Sequence, residues 1–175
     1  MPSPLLPYLS DEICRLVRPV MPDVVPSLLQ ALEFIATRTQ PTTTVISDLM
    51  KAISSHRVPV YETTSYILGE LAIYSPLALD AVVALTGARD SRIRHNALLC
   101  LTEEWPEAVV HKILENALRV KSGRVRRKAA DWAGRLQFHA LLPAMQIAAN
   151  NERNAETRDV MGAEIFRLTS SPVSS

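Results

Sequence analysis

The chain has 175 residues, 47% of them apolar, and its 19 Lys+Arg against 18 Asp+Glu leave a net charge of +1. That length supports one domain with a continuous core, and the near-neutral balance lacks the basic excess of dedicated nucleic-acid-binding domains. No apolar run approaches the roughly 18 residues of a membrane span, and five scattered glycines without sustained β-branched alternation favour an all-α fold.

Residues 1–9 contain three prolines and are expected to form an irregular lead without the basic start and long apolar core of a secretory signal. Ser10-Asp11-Glu12 reads as an N-cap with acidic residues in the first turn, opening a short helix that ends before Pro19 and Pro22. Asp23 starts the first long helix, with Pro26 tolerated in its first turn, and Gln40-Pro41-Thr42 breaks the chain after Arg38. Helices are then expected over 43–54, 60–72, 76–87, 91–104, 106–120, 124–137, 139–149 and 155–169. Pro76 and Pro106 stand where a first-turn proline is favoured, whereas Pro143 should kink or delay its helix. A polar tail, 170–175, closes the chain, leaving 10–169 as a single expected domain. Connections of about two to six residues make consecutive helices antiparallel neighbours.

A period runs through this alternation. Val125–Leu136 (VRRKAADWAGRL) aligns without gaps to segments starting at Leu28, Val60, Ile93 and Thr157, with starts 32, 33, 32 and 32 residues apart. Apolar or small residues recur at the first, fifth, eighth, ninth and twelfth positions, one stripe of a 3.6-residue helix. The second position is Arg94, Arg126 and Arg158 in the last three copies. A fixed period of this size is the mark of stacked helical repeats. Cys100 takes a stripe position held elsewhere by Ile or Trp, which makes it a buried thiol, and two cysteines in helices fit a reducing cytoplasm.

Val-Arg opening a helix, small residues in its middle and the Gly-x-Leu close, best seen at Val125, Arg126, Ala129, Ala130, Ala133, Gly134 and Leu136, resemble the second helix of a HEAT repeat. The resemblance covers residues 22–169. It implies a right-handed α-α superhelix of about five antiparallel pairs, with the second helices lining a concave face. Trp132, Leu136, Leu101 and Leu68 are expected in its core.

On that analogy the third, seventh and eleventh positions point away from the core stripe. The seventh row reads Phe34, Tyr66, Leu99, Asp131 and Ala163; the third reads Gln30, Glu62, His95, Arg127 and Asp159; the eleventh reads Arg38, Glu70, Glu103, Arg135 and Arg167. Three large apolar residues in line on a non-core row suggest an interaction site, unless a rotation of the helices turns them into the core. Residues 1–88 carry five basic against eight acidic groups, and residues 89–175 carry fourteen against ten. The densest basic stretch, Arg119 to Arg135, either receives an acidic protein or phosphate, or is a solvated repeat edge in which Arg126 pairs a neighbouring carboxylate. The arginine ladder of such repeats is usually structural.

The sequence offers little chemistry. It has no Gly-rich phosphate loop, no Cys-x-x-Cys, no His-Glu-x-x-His, and none of the His-Glu dipeptides of HEAT-like metal hydroxylases. Glu107 and His111 could meet at i,i+4 as an ordinary helix pair. We therefore expect a non-catalytic, cofactor-free, monomeric module gripping one protein partner, such as a toxin neutralised by a bacterial immunity protein. Phe34, Tyr66 and Leu99 would anchor that partner and Arg127, Lys128, Asp131, Arg135 and Arg167 would orient it. The alternative is a nucleic-acid binder akin to HEAT-like DNA glycosylases, against which Glu62, Glu70 and Glu103 would repel phosphate.

Overall fold

A computed structural model describes residues 6–170. Among them the chain is all-helical, without a strand. The α-helices are α1 (Leu6–Glu12), α2 (Val25–Thr37), α3 (Thr43–Ile53), α4 (Val58–Ala72), α5 (Pro76–Thr86), α6 (Ser91–Leu98), α7 (Glu107–Leu118), α8 (Gly123–Arg135), α9 (Leu142–Asn150) and α10 (Ala155–Ser170). A π-helical segment, Ile13–Val17, prolongs α1, and 3-10 turns at Pro22–Val24 and His139–Leu141 precede α2 and α9.

The breaks follow from local chemistry. Thr42, Ser75 and Asp90 cap α3, α5 and α6 by accepting hydrogen bonds from the backbone N–H of Val45, Ala78 and Arg92. Pro26, Pro76 and Pro143 occupy first turns, where a missing N–H is harmless. Pro143 thus delays α9 behind the 3-10 turn rather than kinking it.

Two helices differ from the sequence expectation. Ser10 lies inside a helix rather than at its start, because α1 already runs from Leu6, inside the stretch expected to be irregular. The π segment, closed by Arg18 N–H to Ile13 O at 3.2 Å, buries both Ile13 and Val17. That segment exchanges regular spacing for two apolar contacts, a choice tertiary packing makes. The helix expected over 91–104 stops at Leu98. Leu99 and Cys100 turn back to the carbonyls of Asn96 and Ala97, and Asn96 spends its side chain on Ile53 O at 2.9 Å. Glu103 and Glu104 would also oppose the negative end of a longer helix.

The chain divides between Glu104 and Trp105 into two compact units. In the first, α2 packs on α3 and α4, α3 also on α4 and α5, and α4 on α5 and α6, so alternate helices form two layers. Leu49, Ile53, Ile67, Leu68, Leu71 and Leu98 are its fully buried side chains of largest volume, together with Ile13 and Leu28. In the second, α7 packs on α8 and α9, and α10 on α8 and α9, around Leu114, Leu141, Met145 and Met161. Leu68 and Leu101 are buried in the first unit and Trp132 in the second, as the stripe predicts. Leu136 is only half-buried, because it is the residue on which α8 ends.

Each unit carries one arginine of the ladder in the same pose. Arg94 Nη1 donates to Ala88 O and Arg89 O at 2.6 and 2.9 Å; Arg126 Nη1 donates to Val120 O and Lys121 O at 2.8 and 2.7 Å. Both reach six and five residues upstream, clamping the turn between the two helices of a pair. Arg126 also pairs with Glu152, both side chains being largely buried.

Close approach at Gly69 lets α4 touch the backbone carbonyl of Cys100. A Cβ at this glycine would overlap main chain that has no rotamer to escape into. We expect Gly69→Ala to cost about 1–3 kcal/mol through overpacking, and Trp132→Ala about 3–5 kcal/mol through the cavity it leaves. Chemical denaturation of each variant is the measurement; wild-type stability in either would overturn the packing described.

Candidate interaction surfaces

In the first unit two of the seventh-row residues, Phe34 and Tyr66, lie on the second helices α2 and α4, and Leu99 is the C-cap just beyond α6. Tyr66 is 38% exposed, and Phe34 and Leu99 are half-buried. None of the three is sunk in the core, so the helices keep the rotation inferred from the stripe. Of the neighbouring rows, Gln30, Glu62 and Arg38 are exposed and His95 and Glu70 half-buried. Glu103 is exposed but stands beyond the end of α6, so it is not on the helical row that spacing assigned to it.

Beside this row carboxylates crowd together. Burial and then the nearby Glu104 push the Glu70 carboxyl above its ordinary range. Burial, with Glu70 adding and Arg38 opposing, pushes Tyr74 up to about 12. Its buried Oη has no hydrogen-bond partner among the described residues. The first unit carries eight basic against eleven acidic residues, an excess of negative charge on the unit that exposes Tyr66.

The second unit carries eleven basic against seven acidic residues. The structure brings most of the predicted basic residues together on α8 and α10, but already engaged. Arg127 pairs with Glu156 at 3.0 Å, Lys128 with Asp131 at 2.8 Å, and Arg167 Nη1 lies 3.1 Å from Glu164 Oε2. Arg135 stands over the Trp132 ring at 4.5 Å from its centre, with Lys128 at 5.7 Å. A buried indole flanked by two cations is a cation–π arrangement that holds both heads in place. These pairs are partly exposed, so most are weak and can be exchanged for a ligand's charges. The ladder residues behave differently: Arg94 and Arg126 are built into the fold, while Arg158 is exposed.

Two carboxylates on this unit are shifted in opposite directions. Glu152 accepts from Asn154 N–H at 2.9 Å, and that bond chiefly, with Arg126 and Arg153 N–H, holds its carboxyl below the ordinary 4.5 against the opposing effect of burial. Glu164 sits against Gly134, where no Cβ intervenes, and burial raises its pKa despite Arg167, with Asp131 adding to the rise. Neither spacing nor composition distinguishes the two residues; the difference comes from what α8 places beside each.

Cys100 is fully buried and its thiol is pushed up to about 12 by desolvation, only partly offset by Ser65. Among the described residues no group of three His, Cys, Asp or Glu could hold a metal ion, and no helix is long and apolar enough to cross a membrane. His111 stacks on Phe138 with ring centres 5.7 Å apart. No protein-family model matches the sequence, and no curated protein matches it.

The shifted pair predicts opposite pH effects. Glu152 ionises more readily folded than unfolded, so its contribution is complete above pH 4.5 and is lost as pH falls through the lower folded value. Glu164 holds its proton more tightly when folded, so stability is unaffected below pH 4.5 and declines as pH rises through the raised folded value. At about pH 7.5 we expect Glu152→Gln to lower and Glu164→Gln to raise the unfolding midpoint, with both differences shrinking as the pH falls below 4.5. Thermal unfolding across that range is the check, and shifts of the same sign would contradict it.

Proposed function

We propose that the chain is a HEAT-type repeat protein acting as a non-catalytic module that binds one protein partner through its second helices. The observation that carries this reading is the run of Phe34 on α2, Tyr66 on α4 and Leu99 at the C-cap of α6, each half-buried to exposed. A partner would gain affinity by burying these groups, since aromatic anchors dominate interface energetics. On the second unit Arg127, Lys128, Asp131, Arg135 and Arg167 would exchange their internal contacts for a partner's carboxylates, fixing register more than strength. A rigid surface of this kind suffices to cover the active site of a toxin, and toxin neutralisation by an immunity protein in the cytoplasm is the role we favour. That assignment stands on fold-level analogy.

Nucleic-acid binding is the second reading, favoured by the excess of basic residues in the second unit. It is weakened there by the engagement of Arg126, Arg127, Lys128 and Arg167 with carboxylates of the same unit. Such binding would be non-specific and fall steeply with salt.

The test is co-purification from the native host with wild type, Tyr66→Ala and Arg135→Glu, each first shown to fold by circular dichroism. We expect Tyr66→Ala to raise the off-rate by an amount worth about 1–3 kcal/mol, and Arg135→Glu to slow association and flatten its salt dependence. Equal recovery of the same partner by all three proteins would remove the second-helix face from consideration. Submicromolar, sequence-dependent gel shifts at physiological salt would put nucleic acid first.

A further inference from the structure

Away from the second-helix rows, the second unit contains a groove of about 560 Å³ between α7 and α9, well inside the range of roughly 300–1,000 Å³ typical of small-ligand sites. It exists because α9 turns Ala144 and Ala148 toward a stretch of α7 that ends at Leu118, with Ala140 of the preceding 3-10 turn also lining the space. Side chains four apart share a helix face, and two alanines there leave unfilled the space that larger residues would close. At the lip Ile147 is 63% exposed, an unusual setting for a β-branched apolar residue.

The charges around this groove do not cancel evenly along its length. Arg119 is paired with Glu115, and Arg126 with Glu152, so both guanidinium groups are compensated within the fold. Lys121 is exposed at the same end and pairs with no carboxylate among the described residues. Its main chain is held by Arg126, which donates to its carbonyl at 2.7 Å. Leu118, Ala144, Ile147 and Ala148 give the groove an apolar wall, and Lys121 places one uncompensated cation at its end, so a ligand lying along it is apolar for most of its length and negative at one tip.

We propose that this groove binds a single-chain amphipathic carboxylate, its alkyl chain on Ala144, Ala148, Ile147 and Leu118 and its head group at Lys121 Nζ. Apolar length supplies the affinity, about fourfold per fully buried methylene, and the lysine selects the sign of the head group. The site is separate from the rows assigned to a protein partner and does not depend on that assignment.

The experiment is calorimetric titration of the full chain with decanoate and with decyltrimethylammonium, both below micelle-forming concentrations. Expected is saturable one-to-one binding of decanoate, weaker binding of hexanoate, and weaker binding of the cationic amphiphile. Lys121→Glu should weaken decanoate about tenfold and strengthen decyltrimethylammonium, reversing the preference. Ala144→Trp, which fills the channel, and Ile147→Asp, an exposed position that does not burden folding, should each abolish binding while the helical spectrum is unchanged. The proposal is overturned if decanoate fails to saturate, if the folded Ile147→Asp protein binds it as wild type does, or if head-group charge makes no difference in wild type and Lys121→Glu alike.

Discussion

The turn inside each helix pair sets the geometry on which everything else depends. A helix that ends leaves carbonyls in the following turn that no further helical turn will satisfy. Arg94 and Arg126 meet that need from the fourth residue of the following helix, each giving one Nη1 to two successive carbonyls. The arrangement has a cost, since the Nε atoms of both arginines are buried without a hydrogen-bond partner among the described residues. The spacing between clamp and turn is identical in the two pairs, which is a physical reason for the periodicity of the sequence.

Much of this was legible beforehand. The stripe through Val125, Ala129, Trp132 and Ala133 correctly separated buried from unburied faces, and prolines at 26, 76 and 143 marked helix starts. Boundaries decided by tertiary contact were not legible. The stop after Leu98 depends on Asn96 reaching Ile53, forty-three residues away, and the π segment depends on what Ile13 and Val17 bury. The same distinction holds at the surface. Lys128 and Asp131 are three apart and their pairing follows from helix geometry. Arg127 with Glu156, and Glu164 against Gly134, join α8 to α10 and have no local signature. The channel between α7 and α9 escaped notice for a related reason: alanines in a helix read as good packing residues, and only the facing helix decides whether they pack.

The two units use charge in different ways. In the first, Glu70 and Glu104 are held near each other beside an exposed tyrosine, and the excess negative charge is unrelieved enough to push a carboxyl upward. In the second, a larger excess of the opposite sign is distributed into ion pairs and over an indole ring. A surface of the first kind repels its own counterparts and is selective through repulsion, whereas the second keeps its cations oriented until something displaces their partners.

Gly69 has a further consequence for chemistry. By letting α4 lie directly on the main chain of Cys100, it seals that thiol away from solvent and from the thiolate form in which sulfur reacts. The other cysteine, Cys14, is only half-buried, and both belong to the first unit. An alkylating reagent can therefore reach Cys100 only while α4 and α6 are apart. The rate of its capture is a clock for the opening of that unit, and the second unit, which has no cysteine, is silent in the same assay.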